Sequence, residues 1–359
     1  MNKTMIIAEA GVNHNGQLEL ALALVEAAAK AGADAVKFQT FNAKQLVTAQ
    51  APQAKYQAEN TQQNENQLAM LEKLQLSATD HQQLIAHCEK FGIKFMSTAF
   101  DSESLTFLAS ELRLPILKIP SGEITNAPLL LQFARTGADL ILSTGVCTLT
   151  EIQQALAVLA FGLTQPDTEP DGVKAFQAAY LSAAGQQQLA AKVILLHCTT
   201  EYPAPLEDIN LRAMATLRQH FNLRVGYSDH SAGILVPTAA VALEACVIEK
   251  HFTLDKSLPG PDHKASLEPA ELCQMVEAIR NVELVLGHPQ KTPAPSELHN
   301  RTLIRKSLVA AKPLVAGQIL KPADLTAKRP ATGRSPFDYW QLLGTAVNRD
   351  YQYDEPIDE

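Results

Sequence analysis

The chain has 359 residues, 46% of them apolar and 19% charged, and a formal net charge of −8 at pH 7. That length suits a core unit of roughly 250 residues with a small domain appended, and the acidic balance excludes a broad nucleic-acid surface, which needs clustered Lys and Arg. The five cysteines (Cys88, Cys147, Cys198, Cys246, Cys273) form no C-x-x-C pair, no apolar stretch reaches a membrane span, and the run 5–8 meets Glu9 too soon for a signal peptide, so a reducing, cytoplasmic setting is expected.

In chain order, eight short apolar runs each close on polar residues. The first, Met5–Gly11, ends in Glu9 to Gly11. A helical pattern follows over Leu18–Lys30, with Leu20, Leu24, Ala27 and Ala28 on one face and Gly32 as its stop. Ala33-Asp34 leads directly into the second run, Ala35–Thr40, which carries Lys37-Phe38-Gln39. Residues 41–76 break the rhythm and are rich in Gln and Asn (Gln62-Gln63-Asn64-Glu65-Asn66-Gln67). Because they follow a strand, they form either a lid on the functional side or a surface excursion ending in a helix. The third run, 94–100, carries Ser97-Thr98; the fourth, 116–121, leads from Lys118 to Glu123; the fifth, 140–144, closes on Ser143-Thr144. After a helical pattern at 150–159 comes an insertion, 162–191, which precedes the sixth strand and is assigned to the structural face with no catalytic role. The last three runs, 193–200, 224–230 and 246–252, end in His197 to Thr200, Ser228-Asp229-His230 and Glu249-Lys250-His251, and Pro269–Leu286 reads as a closing helix.

Most of these runs are apolar on both faces, as parallel strands covered by helices must be. Eight strands alternating with helices, each closing on reactive residue types, predict an α/β fold, a (β/α)₈ TIM barrel whose site lies at the C-terminal ends of the strands. The barrel is assigned to residues 1–287, a Pro-rich linker to 288–300 and a small domain to 301–359. The small domain holds strand-like runs such as Ser307–Ala310 among many turn residues, and is expected to have little core of its own.

The strand ends carry the chemistry. A lone strand-end His is more often structural, but His230 and His251 end adjacent strands, about 4.8 Å apart, each flanked by a carboxylate (Asp229, Glu249). Two imidazoles there can share Mn²⁺, Zn²⁺ or Fe²⁺ and leave positions open for water and substrate. His14 is the best rival ligand, and His81, His87 and His220 fall in helical patterns and read as surface residues. Lys37 and Lys118 serve either as Schiff-base amines or as an anion clamp. The hydroxyls of Thr98, Ser121, Ser143 and Ser228 favour the clamp; simple pairing of the lysines with Glu9 and Glu123 is the plainer alternative. Glu9 and Glu123 are candidates for a general base or for orienting a water. The loops Glu201-Tyr202-Pro203 and Pro259-Gly260-Pro261-Asp262-His263 would rim the site.

At these motifs the chain resembles the bacterial sialic acid synthase family over almost its whole length: Ile-Ala-Glu-Ala-Gly-Val-Asn-His-Asn-Gly at 7–16, Val-Lys-Phe-Gln-Thr at 36–40, Lys-Ile-Pro-Ser-Gly-Glu at 118–123, His-Cys-Thr-Thr-Glu-Tyr-Pro at 197–203, Gly-Tyr-Ser-Asp-His at 226–230, Ile-Glu-Lys-His-Phe-Thr at 248–253, Gly-Pro-Asp-His at 260–263 and Lys-Arg-Pro at 328–330. The resemblance implies condensation of phosphoenolpyruvate with an N-acetylmannosamine-type sugar, and an antifreeze-like (SAF) C-terminal domain. It implies metal ligation by His230 and His251, typically of Mn²⁺ with Mg²⁺ or Co²⁺ as alternatives. It implies catalytic parts for Glu123, Glu9 and Lys37, and substrate binding by Gln39, Thr98, Lys118, Ser121, Ser143, Tyr202, Ser228, Asp262 and Arg329. Arg329 would reach the sugar in the partner subunit's barrel, which implies a domain-swapped homodimer. Some members carry an Asn in the strand-six motif where this chain has Thr199-Thr200. The wording of the motifs is more like that of the family's legionaminic acid synthases, which take a 2,4-diacetamido-2,4,6-trideoxy sugar, than of the N-acetylneuraminate synthases. The competing expectations are a related barrel using a phosphorylated sugar, for which no second basic cluster stands out, and a non-catalytic carbohydrate-binding protein.

Overall fold

The computed structural model describes residues 3–61 and 65–358; Gln62, Gln63 and Asn64 of the Gln- and Asn-rich run lie outside the described residues. Eight strands form a closed barrel: β1 Met5–Gly11, β2 Ala35–Thr40, β3 Lys94–Ala99, β4 Ile116–Ile119, β5 Asp139–Ser143, β6 Val193–His197, β7 Arg224–Asp229 and β8 Val247–His251. Each pairs in parallel with the next, and β8 returns to β1 with Glu9 opposite His251. The strands stop where the reactive residues leave the ladder. β4 ends at Ile119 and Ser121–Glu123 make a 3₁₀ turn, while β6 ends at His197, short of the expected Thr200.

The strand period of two explains both layers of the barrel. Outward residues such as Ile6, Ala8, Val36 and Phe38 join the main core with Leu24, Val25 and Ala28 of the helix Leu18–Lys30. Inward, Ile7, Ala35, Met96, Ile141, Leu196 and Val247 form an apolar plug. Gly226 belongs to that layer: a Cβ there would lie 2.5 Å from the Val247 carbonyl oxygen and 2.7 Å from Leu196. Two residues further along the same strands, the inward column becomes Glu9, Lys37, Thr98, Ser143, Cys198 and Glu249. One pleat thus separates packed core from reactive surface.

The helices follow from their caps. Thr148 and Glu151 form a capping box that starts Leu149–Thr164 earlier than its apolar pattern does, and Ser77 and Asp80 do the same for Ala78–Phe91. His81, expected at the surface, is buried on that second helix, with ring nitrogens 2.8 Å from Thr40 Oγ1 and 2.8 Å from the Ser77 carbonyl. The insertion before β6 folds as two helices, Val173–Leu181 and Ala183–Lys192. Among the described residues no helix is long and apolar enough to cross a membrane.

The chain divides at Gly287 and His288 into two compact units. In the second unit, the helix Leu298–Ile304 precedes an antiparallel pair, β9 Ser307–Ala310 and β10 Leu325–Lys328. Contrary to expectation, it has a core of its own, made by Leu308, Ala310, Leu314, Leu320, Leu325, Val347, Tyr351 and Ile357. Isolated bridges such as Leu314 to Tyr351 and Ile319 to Ala346 bring these distant, turn-rich segments together, so a short sequence with little periodicity still buries an apolar centre.

Candidate active site

A cavity of about 340 Å³ opens at the C-terminal ends of the barrel strands. Glu9, Lys37, Gln39, Thr98, Lys118, Ser121, Glu123, Ser143, Tyr202, Ser228, His230, His251 and Asp262 all line it. Arg329 is exposed in the second unit, its Nε donating to the Ile304 carbonyl at 2.8 Å.

The floor is a buried charge cluster. Lys37 Nζ lies 2.6 Å from Glu9 Oε2 and donates to Thr98 Oγ1 at 2.8 Å. Lys118 Nζ donates to Ser143 Oγ at 2.7 Å. Glu249, expected only as the carboxylate flanking His251, belongs to this cluster. It lies 3.5 Å from Lys37 and 3.7 Å from Lys118, and accepts a 2.8 Å hydrogen bond from Ser228 Oγ. The alternative in which Glu123 simply pairs with a lysine is not what is seen: Glu123 is half-buried and accepts from Asn126 Nδ2 at 2.7 Å. Parity was the available signal, since Glu249 shares the inward face with His251 while the intervening Lys250 must point outward.

Burial and neighbours set the charges of this cluster. Burial pushes Glu9 up to about 7, with repulsion from Glu249 adding to it against the pull of Lys37. Burial acts the same way on Glu249, but Lys118, Lys37 and the Ser228 hydroxyl outweigh it and bring that carboxyl down to about 2. Burial pulls Lys37 down, yet Glu249 and Glu9 reverse the net direction, whereas Lys118 ends below its ordinary value because burial dominates. In the share of molecules in which Glu9 is protonated, two lysines face one ionised carboxylate. The floor then carries a net positive charge in a water-poor setting, which suits an anion.

The imidazoles stand beside this floor with ring centroids 5.7 Å apart. His230 Nδ1 lies 2.6 Å from the Thr199 carbonyl and must donate to it, so Nε2 carries the free lone pair, 3.2 Å from Tyr202 Oη. His251 is buried, and its Nδ1 has no hydrogen-bond partner. Burial holds both rings below their ordinary value, and the His230 imidazole and nearby Lys37 add to this at His251. Two neutral imidazoles, His251 with an unpartnered buried Nδ1 and His230 with an Nε2 lone pair met by the Tyr202 hydroxyl, fit a divalent cation. Among the described residues no set of three His, Cys, Asp or Glu forms a fuller shell, so further coordination would come from water or substrate. Asp229, expected to flank this pair, faces the other way. It pairs with Lys250 at 2.6 Å, both side chains fully buried, and accepts from the Ser231 hydroxyl at 2.8 Å. His14 is buried away from the cavity lining and accepts from the Gly16 amide at 3.0 Å. His197 bonds the Ile209 carbonyl at 2.8 Å.

Loops position the rim. Asn13 donates to the Phe252 carbonyl at 2.8 Å and to Ser266 Oγ at 2.9 Å, and Asn15 Oδ1 lies 3.1 Å from His263 Nε2. The Asn13-His14-Asn15 turn thereby fixes the loop that presents Asp262, whose buried carboxyl is pushed up to about 6 by desolvation. Gly145 is needed for a close approach: a Cβ there would lie 2.2 Å from Thr200 Oγ1 and 2.9 Å from Cys198 Sγ. The segment after β2 covers the mouth, with Tyr56 stacked on Tyr202 at 5.1 Å and Asn60 Nδ2 donating to the Pro261 carbonyl at 2.6 Å. Of the two forms open to this segment, it takes that of a cover: Leu46, Val47, Tyr56 and Met70 line the cavity.

Comparison with known proteins agrees with this geometry. The NeuB family model matches residues 24–291 and the SAF domain model matches residues 305–359. The chain is similar to the N,N'-diacetyllegionaminic acid synthase of Campylobacter jejuni, 48% identical over 100% of both chains. It is also similar to the N,N'-diacetyllegionaminic acid synthase of Legionella pneumophila, 47% identical over 96% of this chain and 90% of that one. Among solved structures, an N-acetylneuraminic acid (sialic acid) synthetase from Leptospira borgpetersenii aligns with a TM-score of 0.66 at 34% identity, covering 83% of this chain and 90% of that chain.

Proposed function

Because the chain belongs to the NeuB family, we propose that its barrel condenses phosphoenolpyruvate with an N-acetylated amino sugar, releasing phosphate and forming a nine-carbon 2-keto acid. The observation that carries this reading is the buried floor on which Lys37 with Thr98 and Lys118 with Ser143 stand beside two neutral imidazoles. The phosphate and carboxylate of phosphoenolpyruvate bind Lys37, Lys118 and the hydroxyls of Thr98, Ser121, Ser143 and Ser228. The acceptor lies above, against Gln39, Glu123, Tyr202 and Asp262. The chain's 48% and 47% sequence identity to two N,N'-diacetyllegionaminic acid synthases supports 2,4-diacetamido-2,4,6-trideoxymannose as that acceptor, giving N,N'-diacetyllegionaminate; N-acetylmannosamine is the alternative.

In the reaction the methylene carbon of phosphoenolpyruvate forms a bond to the acceptor's aldehyde carbon, while the aldehyde's carbon–oxygen π bond opens and its oxygen takes up a proton from solvent to become a hydroxyl. Water adds at the enol carbon, and the carbon–oxygen bond to phosphate breaks. Glu123, at the rim with access to water, positions that water and takes its proton. Glu9 holds Lys37 in place at 2.6 Å. His230 and His251 would hold a divalent cation, Mn²⁺ being the family's usual metal, and such an ion supplies Lewis-acid polarisation of the aldehyde.

The test is phosphate release from phosphoenolpyruvate with each of the two acceptors, run in ¹⁸O-labelled water. Release with the diacetamido sugar, faster than with N-acetylmannosamine and with unlabelled phosphate, is expected. Label in the phosphate would mean phosphorus–oxygen cleavage, and no release with either sugar would refute the reading.

Arg329 completes the site from a second subunit in a domain-swapped homodimer. Its guanidinium is a suitable donor to an acetamido carbonyl. Two variants, Arg329→Ala and Glu123→Ala, each inactive alone, should regain activity when their subunits are exchanged, since a hybrid dimer holds one intact composite site. A mixture that exchanges subunits yet stays inactive counts against the swap.

A further inference from the structure

The cavity has two unlike sides. The strand ends present lysines, carboxylates, imidazoles and hydroxyls, but the segment after β2, beside Tyr56, Gln57 and Gln67, presents Leu46, Val47, Met70, Leu71 and Leu74 to the same space, joined by Phe100. A site built only for a polyhydroxylated sugar has no use for such a wall. Each hydroxyl turned against it would lose its water and gain no partner, whereas a methyl group would gain contact.

Packing alone does not account for the whole wall. Met70, Leu71 and Leu74 are buried in a cluster with Val12, Phe41 and Ala43, which holds the segment to the barrel. Leu46 and Val47 stand at the edge of that cluster, half-buried, and still line the cavity. Leu46 closes the short helix Ala43–Leu46, whose start is fixed by the Asn42 cap and by Gln75 Oε1 accepting the Ala43 amide at 2.6 Å. Both residues therefore pack against the cluster on one side and face the cavity on the other.

We infer that Leu46 and Val47 determine acceptor specificity, receiving a methyl group of the sugar, either the methyl of a 6-deoxy carbon or that of an acetamido group. This rests on the synthase reading above. The test compares kcat/KM for three acceptors, N-acetylmannosamine, 2-acetamido-2,6-dideoxymannose and 2,4-diacetamido-2,4,6-trideoxymannose, in the wild type, Val47→Thr and Leu46→Gln. The KM for phosphoenolpyruvate and the thermal midpoint serve as references. Each substitution is expected to shrink the preference for the diacetamido sugar over N-acetylmannosamine by about tenfold, because a pocket gains or loses about that much per methyl. The middle acceptor assigns the source: a matching loss with the 6-deoxy sugar identifies the C6 methyl, and a loss only with the diacetamido sugar identifies the acetamido methyl. Val47→Thr keeps the side chain's shape while adding a hydroxyl, so the test survives if Leu46→Gln folds poorly. An unchanged ratio in a folded Val47→Thr protein, with the wild type active on the diacetamido sugar, overturns the wall assignment alone. A wild type inactive with every acceptor overturns the synthase reading and this inference with it.

Discussion

Replacing His251 with alanine is expected to lower turnover by about a thousandfold or more, the rate equivalent of several kcal/mol of lost transition-state stabilisation. The purified variant should also fail to retain the divalent cation proposed for His230 and His251. The barrel should survive. The side chain lines the cavity, and its buried Nδ1 has no hydrogen-bond partner to lose. Its structural duties lie in the main chain, where the carbonyl accepts from the Leu267 amide at 2.9 Å. Elemental analysis, circular dichroism and phosphate release on one preparation check all three points. A folded His251→Ala protein that keeps full activity and metal content removes His251 from the site.

Lys250→Met should be costly for the opposite reason: the residue never sees the cavity. Lys250 and Asp229 pair at 2.6 Å with both side chains wholly buried, and the lysine also donates to the Ser231 carbonyl. Their α-carbons are partners across β7 and β8, immediately beside His230 and His251. Removing the lysine leaves a carboxylate in an apolar setting with only Ser231 to satisfy it, a loss of about 3–5 kcal/mol. The barrel's melting transition should fall by several degrees. Adding Asp229→Asn, which removes the stranded charge, should recover part of the fall. Equal stability of Lys250→Met and wild type would show that the pair is not what fastens these strand ends.

The barrel was legible in the sequence because each strand repeats one decision: apolar outward for the helices, apolar inward for the plug, polar inward one pleat later. That is why Lys37, Lys118, Ser143, Ser228, His230 and His251 could be found by position alone, and why they line one cavity. Parity also contained the roles of Asp229 and Glu249, which the reading by motif overlooked. An odd step along Ser228-Asp229-His230 or Glu249-Lys250-His251 sends the middle residue out of the barrel.

Other features were decided only by closure of the fold. Glu249 meets lysines from β2 and β4 across the barrel interior, a contact between residues 212 and 131 positions apart (249 − 37 and 249 − 118) that no local spacing encodes. His81 is buried because β2 supplies Thr40 to its ring, although its own helix pattern is that of a surface turn. The segment after β2 has little periodicity; its apolar residues acquire a direction only when Val12 and Phe41 give them something to pack against. The second unit's core is likewise assembled by bridges between distant turns. Sequence by itself determined where side chains point within a strand, because backbone geometry fixes that locally. Tertiary structure decided which charges are neutralised, which histidine is buried and which apolar residues face the cavity, because those depend on neighbours that only chain closure brings within reach.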